Sequence, residues 1–202
     1  MLKKTRKIFG ENIDPIRILA YNSTMDIKVK WILRAVLTAL CAVTVGFILY
    51  NSLQTAQEST EQSTTVVVMV QQAVAVIAPE APIVTATGED FDRLHSIVRS
   101  LAHFSEYTLL GALGGWCCLS YTLRRKFLVI PALGGAGLAV LDECLQMFTA
   151  GRGAQFTDIL LDIFGGLCGL AFAVLSVWIV IKIMRRKRYE TREFGNSLDK
   201  IQ

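Results

Sequence analysis

Apolar residues gather in four long runs, at about 31–50, 98–121, 127–148 and 159–184, separated by polar stretches. At about 1.5 Å of rise per residue, each run as a helix covers the roughly 30 Å hydrocarbon core of a bilayer, some with tilt. The pattern predicts an all-α polytopic membrane protein with four transmembrane helices (31–184), a basic N-terminal segment (1–30) and a basic tail (185–202). Some 30 mixed polar residues precede the first run, a poor match to a cleavable signal peptide, so that run reads as an anchor. Arg34, near its basic end, has the reach to snorkel to the interface.

The 51–97 connection has a pattern of its own. Ser52–Thr65 is rich in Gln, Ser, Thr and Glu and reads as solvated. Val66–Ala78 is apolar but too short to span, and it ends at Pro79. Val66, Val70, Val74 and Ile77 share one helical face beside Gln71 and Gln72, which predicts an interfacial helix; a β-branched outer strand is the alternative. Pro79-Glu80-Ala81-Pro82 and Gly88-Glu89-Asp90 read as turns. No sequence repeat or soluble domain stands out, and residues 1–30 carry only a faint pattern for a short amphipathic helix.

Composition agrees with the class: 52% of residues are hydrophobic and the mean hydropathy is +0.45. The net charge of +4 is unevenly spread, with seven Lys/Arg in residues 1–30 and seven more in residues 182–202. The 122–126 turn holds Arg124, Arg125 and Lys126, whereas the 51–97 connection has one arginine, Arg93, against six acids. Lys/Arg bias therefore places both termini and the 122–126 turn in the cytoplasm, and the 51–97 and 149–158 loops outside. The basic ends are topology determinants that also suit anionic lipid, and they give no ground for a nucleic-acid partner. Trp31, Tyr121 and Trp178 read as interface anchors and lipid-facing bulk. All five cysteines fall in apolar runs without zinc-like spacing, so no metal is assigned to them and no disulfide framework is expected.

Ionisable residues inside such runs are costly and commonly functional, at roughly 2.5–3.5 kcal/mol each near the bilayer centre on insertion scales. Arg99, His103, Glu106 and Tyr107 lie on one stripe in the first turns of the second run. Asp142, Glu143 and Gln146 close the third, Arg152 sits in the short connection, and Asp158 and Asp162 open the fourth. The predicted topology brings all of these to one depth, near the outer leaflet. Two arginines then face five carboxylates. Balance requires shared protons, a charged His103, a cation or cationic ligand, or a wet pocket. His103, Glu106, Asp142 and Asp158 are the acid/base candidates, while Arg99, Tyr107, Gln146, Arg152 and Asp162 are the ligand-binding ones. Bland readings stand beside these: a packed His103, Glu143 turned out to headgroups, Arg152 as an interfacial anchor, and Asp158 as a helix N-cap. Gly111 and Gly115, like Gly165 and Gly169, have the small-xxx-small spacing of close helix packing.

These residues resemble the VanZ-like family of bacterial membrane proteins over about residues 31–180. The resemblance rests on Arg99-Ser-Leu-Ala-His103-Phe-Ser-Glu106-Tyr107, then Asp142-Glu143-Cys-Leu-Gln146, Gly151-Arg152, Asp158-Ile-Leu-Leu-Asp162, and Gly165, Gly166 and Gly169. Asp162 departs from it, standing where the family pattern usually has Asn. The resemblance implies a four-span protein of the cell envelope, in a family named for a member tied to glycopeptide (teicoplanin) resistance; it implies no particular reaction and no cofactor. The partners expected are membrane lipids and a lipid-linked cell-wall precursor or glycopeptide antibiotic. The function read from the residues is action on, or binding of, such a ligand in the outer-leaflet pocket. No nucleophile motif lies beside His103. The alternative is a non-catalytic binding, transport or scaffold protein working as a homodimer packed on the glycine faces.

Overall fold

The computed structural model describes residues 26–153 and 155–198. Any helix in residues 1–25 lies outside them. Five α-helices follow in order: α1 (Ile27–Ser52), α2 (Ala56–Ile77), α3 (Glu89–Tyr121), α4 (Val129–Met147) and α5 (Phe156–Leu198), with a 3-10 turn at Arg125–Leu128 before α4. No strand occurs among the described residues, so the 66–78 segment is helical.

Three helical stretches are long and apolar enough to cross a membrane: Ile27–Ser52, Arg125–Met147 and Phe156–Met184. Their bulky side chains, among them Val43, Phe47, Leu133, Phe164 and Phe172, point away from the protein. That is the arrangement lipid demands and water penalises. The run at 98–121 is not among the three, because Arg99, His103 and Glu106 interrupt its apolar pattern. Instead α3 is the hub of the molecule, packing on α1, α2, α4 and, most extensively, α5.

Local chemistry explains the element limits. Asp26 caps α1, its carboxylate accepting from the Lys28 amide at 3.1 Å. Thr55 and Glu58 form a capping box that starts α2 inside the polar stretch read as solvated. The helix stops at Ile77, since Pro79 disfavours helical backbone at Ala78. Gly88, at φ 59°, turns the chain into α3, and Glu89, Asp90 and Asp92 fill its first turn. Those acids favour a helix N-terminus, so α3 begins well before residue 98 and the Glu89-Asp90 part of the expected turn is helical. At the other end of the chain, α5 runs on through the basic tail to Leu198.

The α3–α5 contact depends on glycine. A Cβ on Gly165 would come within 2.7 Å of the Phe104 carbonyl oxygen, and one on Gly169 would overlap the Thr108 carbonyl. A Cβ on Gly111 would overlap the Gly166 carbonyl, and one on Gly115 would crowd Ala173 at 2.7 Å. Only bare backbone allows this approach. Trp116 donates to the Ser176 hydroxyl at 2.9 Å further along the same seam. Gly111, Gly115, Gly165 and Gly169 are thus covered within the chain.

Candidate functional site

The polar residues collect where α1 and α4 end, α5 begins and α3 passes between them. Directly beneath is a small apolar cluster of Ile48, Ala139 and the Tyr107 ring, flanked by Leu110, Leu138, Ile159 and Ile163.

At the centre stand His103, Asp142 and Asp162, contributed by α3, α4 and α5. His103 Nδ1 lies 3.8 Å from Asp142 Oδ2 and 3.8 Å from Asp162 Oδ2. Both aspartates are 1% exposed. One ligating atom from each of the three residues falls within 4.8 Å of the others. These atoms converge without bonding: His103 Nδ1, both Asp142 oxygens and Asp162 Oδ1 are buried and lack a hydrogen-bond partner. The Tyr107 hydroxyl, on a residue 1% exposed, is also unpartnered and neighbours the Asp142 and Asp162 carboxylates. Buried polar groups are nearly always satisfied, so this concentration of orphaned atoms singles the cluster out. A cleft of about 20 Å³, room for roughly one water, reaches the cluster between Tyr107, Pro131 and Asp162.

Around this centre a second set of residues is held by hydrogen bonds. Asn51, in the last turn of α1, donates to Glu106 at 2.9 Å. Glu143 is 2% exposed and accepts from the Gln155 amide, so it closes the loop into α5 rather than turning out to headgroups. Arg152 donates to the Asn51 and Ser52 carbonyls at 3.2 and 3.5 Å, tying that loop to the C-terminus of α1. The Ala56 amide, donating to the Ala150 carbonyl at 3.2 Å, fastens it to the start of α2. Gly151, at φ 76°, makes the turn possible.

The two arginines form a further group. Arg99 donates to the Gln146 side-chain oxygen at 3.2 Å, and Gln146 is 0% exposed with its amide nitrogen unpartnered. Burial and then the Arg99 charge beside it pull the Arg152 pKa below the ordinary guanidinium value, although it stays a cation. Neither arginine pairs with a carboxylate among the described residues, and the Nε of each is buried without a partner.

The structure thus brings together Arg99, His103, Tyr107, Asp142, Gln146 and Asp162, with Glu106 and Arg152 at the rim. Asp158 stays apart, half-buried in the first turn of α5, its carboxylate touched by the Thr157 hydroxyl at 3.5 Å. Gly111, Gly115, Gly165 and Gly169 lie on the α3–α5 seam. Asn51 and Ser52 are site residues that sequence reasoning missed. A polar pair closing an apolar run opposite an acid-bearing helix was the available signal. At the other end of the bundle, Arg34 donates from Nε and Nη2 to the Ser120 carbonyl at 3.2 and 2.9 Å and lies over the Tyr121 ring. It caps the C-terminus of α3.

No curated protein and no solved structure matches the chain significantly. Its residues 36–180, which take in both the α3–α5 seam and the whole polar end, match the family model described as VanZ/LLP1, and the chain belongs to that family.

Proposed function

We propose that this is a four-span cell-envelope protein of glycopeptide-type antibiotic resistance, whose polar end lies in the outer leaflet and binds the anionic headgroup of a lipid-linked or cell-wall-related ligand. In this reading residues 98–121 of α3 form the fourth span. Its charges are tolerated because they face α1, α4 and α5 instead of lipid. The observation that carries the reading is the Arg99–Arg152 pair. Two half-buried arginines that repel one another, each with an orphaned Nε and neither paired with a carboxylate among the described residues, are best joined by an anion, and a planar fork suits phosphate or carboxylate. His103 and Asp142 stand next to them as the groups to exchange protons with a bound headgroup.

The test compares lipid and cell-wall precursor profiles, and glycopeptide susceptibility, in cells with wild-type protein, Arg99→Ala, Arg152→Ala or none, at matched membrane abundance. Wild type is expected to lower susceptibility and to alter the level of one anionic precursor, and either arginine variant to abolish both effects. Unchanged profiles and susceptibility with wild type, or full activity in both variants, would overturn the headgroup reading.

A further inference from the structure

The convergence of His103, Asp142 and Asp162 asks for an occupant different from the anion at the arginines. From this geometry we propose that the three residues form a binding site for one divalent transition-metal cation of the Mn²⁺ or Zn²⁺ type. The site goes beyond the headgroup reading and does not depend on it.

Three observations carry the proposal. The first is distance. At 3.8 Å the imidazole nitrogen is too far from either carboxylate for a hydrogen bond. Ligand bonds of about 2.1 Å put neighbouring ligand atoms roughly 3.0–3.4 Å apart in octahedral or tetrahedral geometry. The two His103–carboxylate separations are within a few tenths of an ångström of that spacing, and a side-chain rotation of one aspartate brings the third separation, within 4.8 Å, into the same range. The second is the lack of partners. Asp142 has both oxygens buried and free, and His103 Nδ1 and Asp162 Oδ1 are in the same state. The Tyr107 hydroxyl beside the two carboxylates is an unpartnered, almost wholly buried donor, placed to hydrogen-bond a ligating carboxylate oxygen, the outer-shell role that orients metal ligands.

Charge is the third. A protonated His103 offsets one of the two buried aspartates and leaves the other uncompensated, whereas a divalent ion neutralises both and keeps the imidazole neutral. One imidazole with two carboxylates is a mixed nitrogen–oxygen set. It suits Mn²⁺ or Zn²⁺ better than Ca²⁺, which takes an all-oxygen shell. Three protein ligands also leave at least one coordination position for water or another group.

The experiment uses the full chain, purified in detergent, stripped with EDTA and titrated with MnCl₂ or ZnCl₂ and no lipid ligand, so its result is separate from that of the precursor comparison. Bound metal per chain and the thermal midpoint are read together. Wild type is expected to take up one ion per chain with a rise of several degrees in Tm. Asp142→Asn and His103→Ala are expected to weaken uptake by more than about 100-fold, beyond what loss of an outer-shell partner costs. Asp162→Asn, the same change at the other aspartate, should weaken uptake to a similar extent. Metal-free Asp142→Asn should melt at or above metal-free wild type, because it removes a buried unpaired charge, so its loss of binding is not unfolding. No uptake of either ion by wild type, wild-type uptake by Asp142→Asn, or Ca²⁺ bound as tightly as Mn²⁺ would overturn the site.

Discussion

Asp142 shows how much a single side chain is asked to do at the polar end. It is almost wholly buried, lies between His103 and the Tyr107 hydroxyl, and has no hydrogen bond to either. Groups that share a ligand or proton fail together, so their losses do not add. Resistance or ligand binding should therefore fall about as far in His103→Ala or Asp142→Asn alone as in the double variant. Full additivity at matched membrane abundance would separate the two residues. Arg152 differs because it also holds the structure, through the Asn51 and Ser52 carbonyls. Arg152→Ala should lower stability by about 1–2 kcal/mol, the usual cost of losing charge-assisted hydrogen bonds. Arg152→Lys keeps the charge without the planar fork and should recover little ligand binding, whatever part of the melting temperature it restores. Equal ligand binding by Arg152→Lys and wild type would reduce Arg152 to a point charge. At this scale much of the site was legible in sequence, since a charge inside an apolar run is conspicuous. Asn51 escaped notice because a polar residue closing a span is ordinary; only the α1–α3 contact reveals its bond to Glu106.

Among the elements, α2 and the α3–α5 seam make the sharpest contrast. The seam could be read from glycine spacing alone, because a backbone approach this close admits no other residue. Gly165→Leu or Gly169→Leu should cut folded protein in membranes several-fold, since Phe104 and Thr108 meet these positions with backbone that cannot move aside. Wild-type abundance and melting in both variants would place this face against lipid. The extent of α2 was not read, although Thr55-Ala-Gln-Glu58 has the capping-box spacing, because its polar composition resembled a solvated stretch. Its hydrogen bonds to Thr55, first through the backbone, hold the Glu58 pKa below the ordinary glutamate value. A depressed folded pKa means that the cap contributes fully above the unfolded value and is lost as pH falls through the folded one. Thr55→Ala should loosen the first turn of α2 by about 1 kcal/mol at neutral pH and reduce, without abolishing, its acid sensitivity, because the backbone amide at position 55 still donates to Glu58. Hydrogen–deuterium exchange across Ala56–Ile77, corrected for intrinsic rates, measures both effects. Unchanged protection in Thr55→Ala would show that packing against α3, and not the cap, holds the helix start.

For the molecule as a whole, the chemistry of the two ends is opposite. Arg34, bound to the C-terminus of α3, lies at the same end as the Arg124–Lys126 turn. The acids and Arg99 and Arg152 occupy the other end. Because α1 and α3 meet at both Arg34–Ser120 and Asn51–Glu106, they run antiparallel over roughly 21–26 Å, most of a hydrocarbon core. If α3 crosses as α1 does, Thr87 and Arg124 lie on opposite sides of the membrane, and Lys/Arg bias puts Arg124 inside. Hydropathy alone could not establish this crossing, because the residues that make α3 useful also make it polar. Both positions are exposed, so a cysteine at either reports its compartment. In a background with the five native cysteines replaced, Thr87→Cys in whole cells should react with a membrane-impermeant thiol reagent, and Arg124→Cys should react only after lysis. Labelling of Arg124→Cys alone would invert the molecule and move the polar end to the cytoplasmic leaflet. Labelling of both in whole cells would leave α3 outside the set of spanning helices, and the outer-leaflet pocket would go with it.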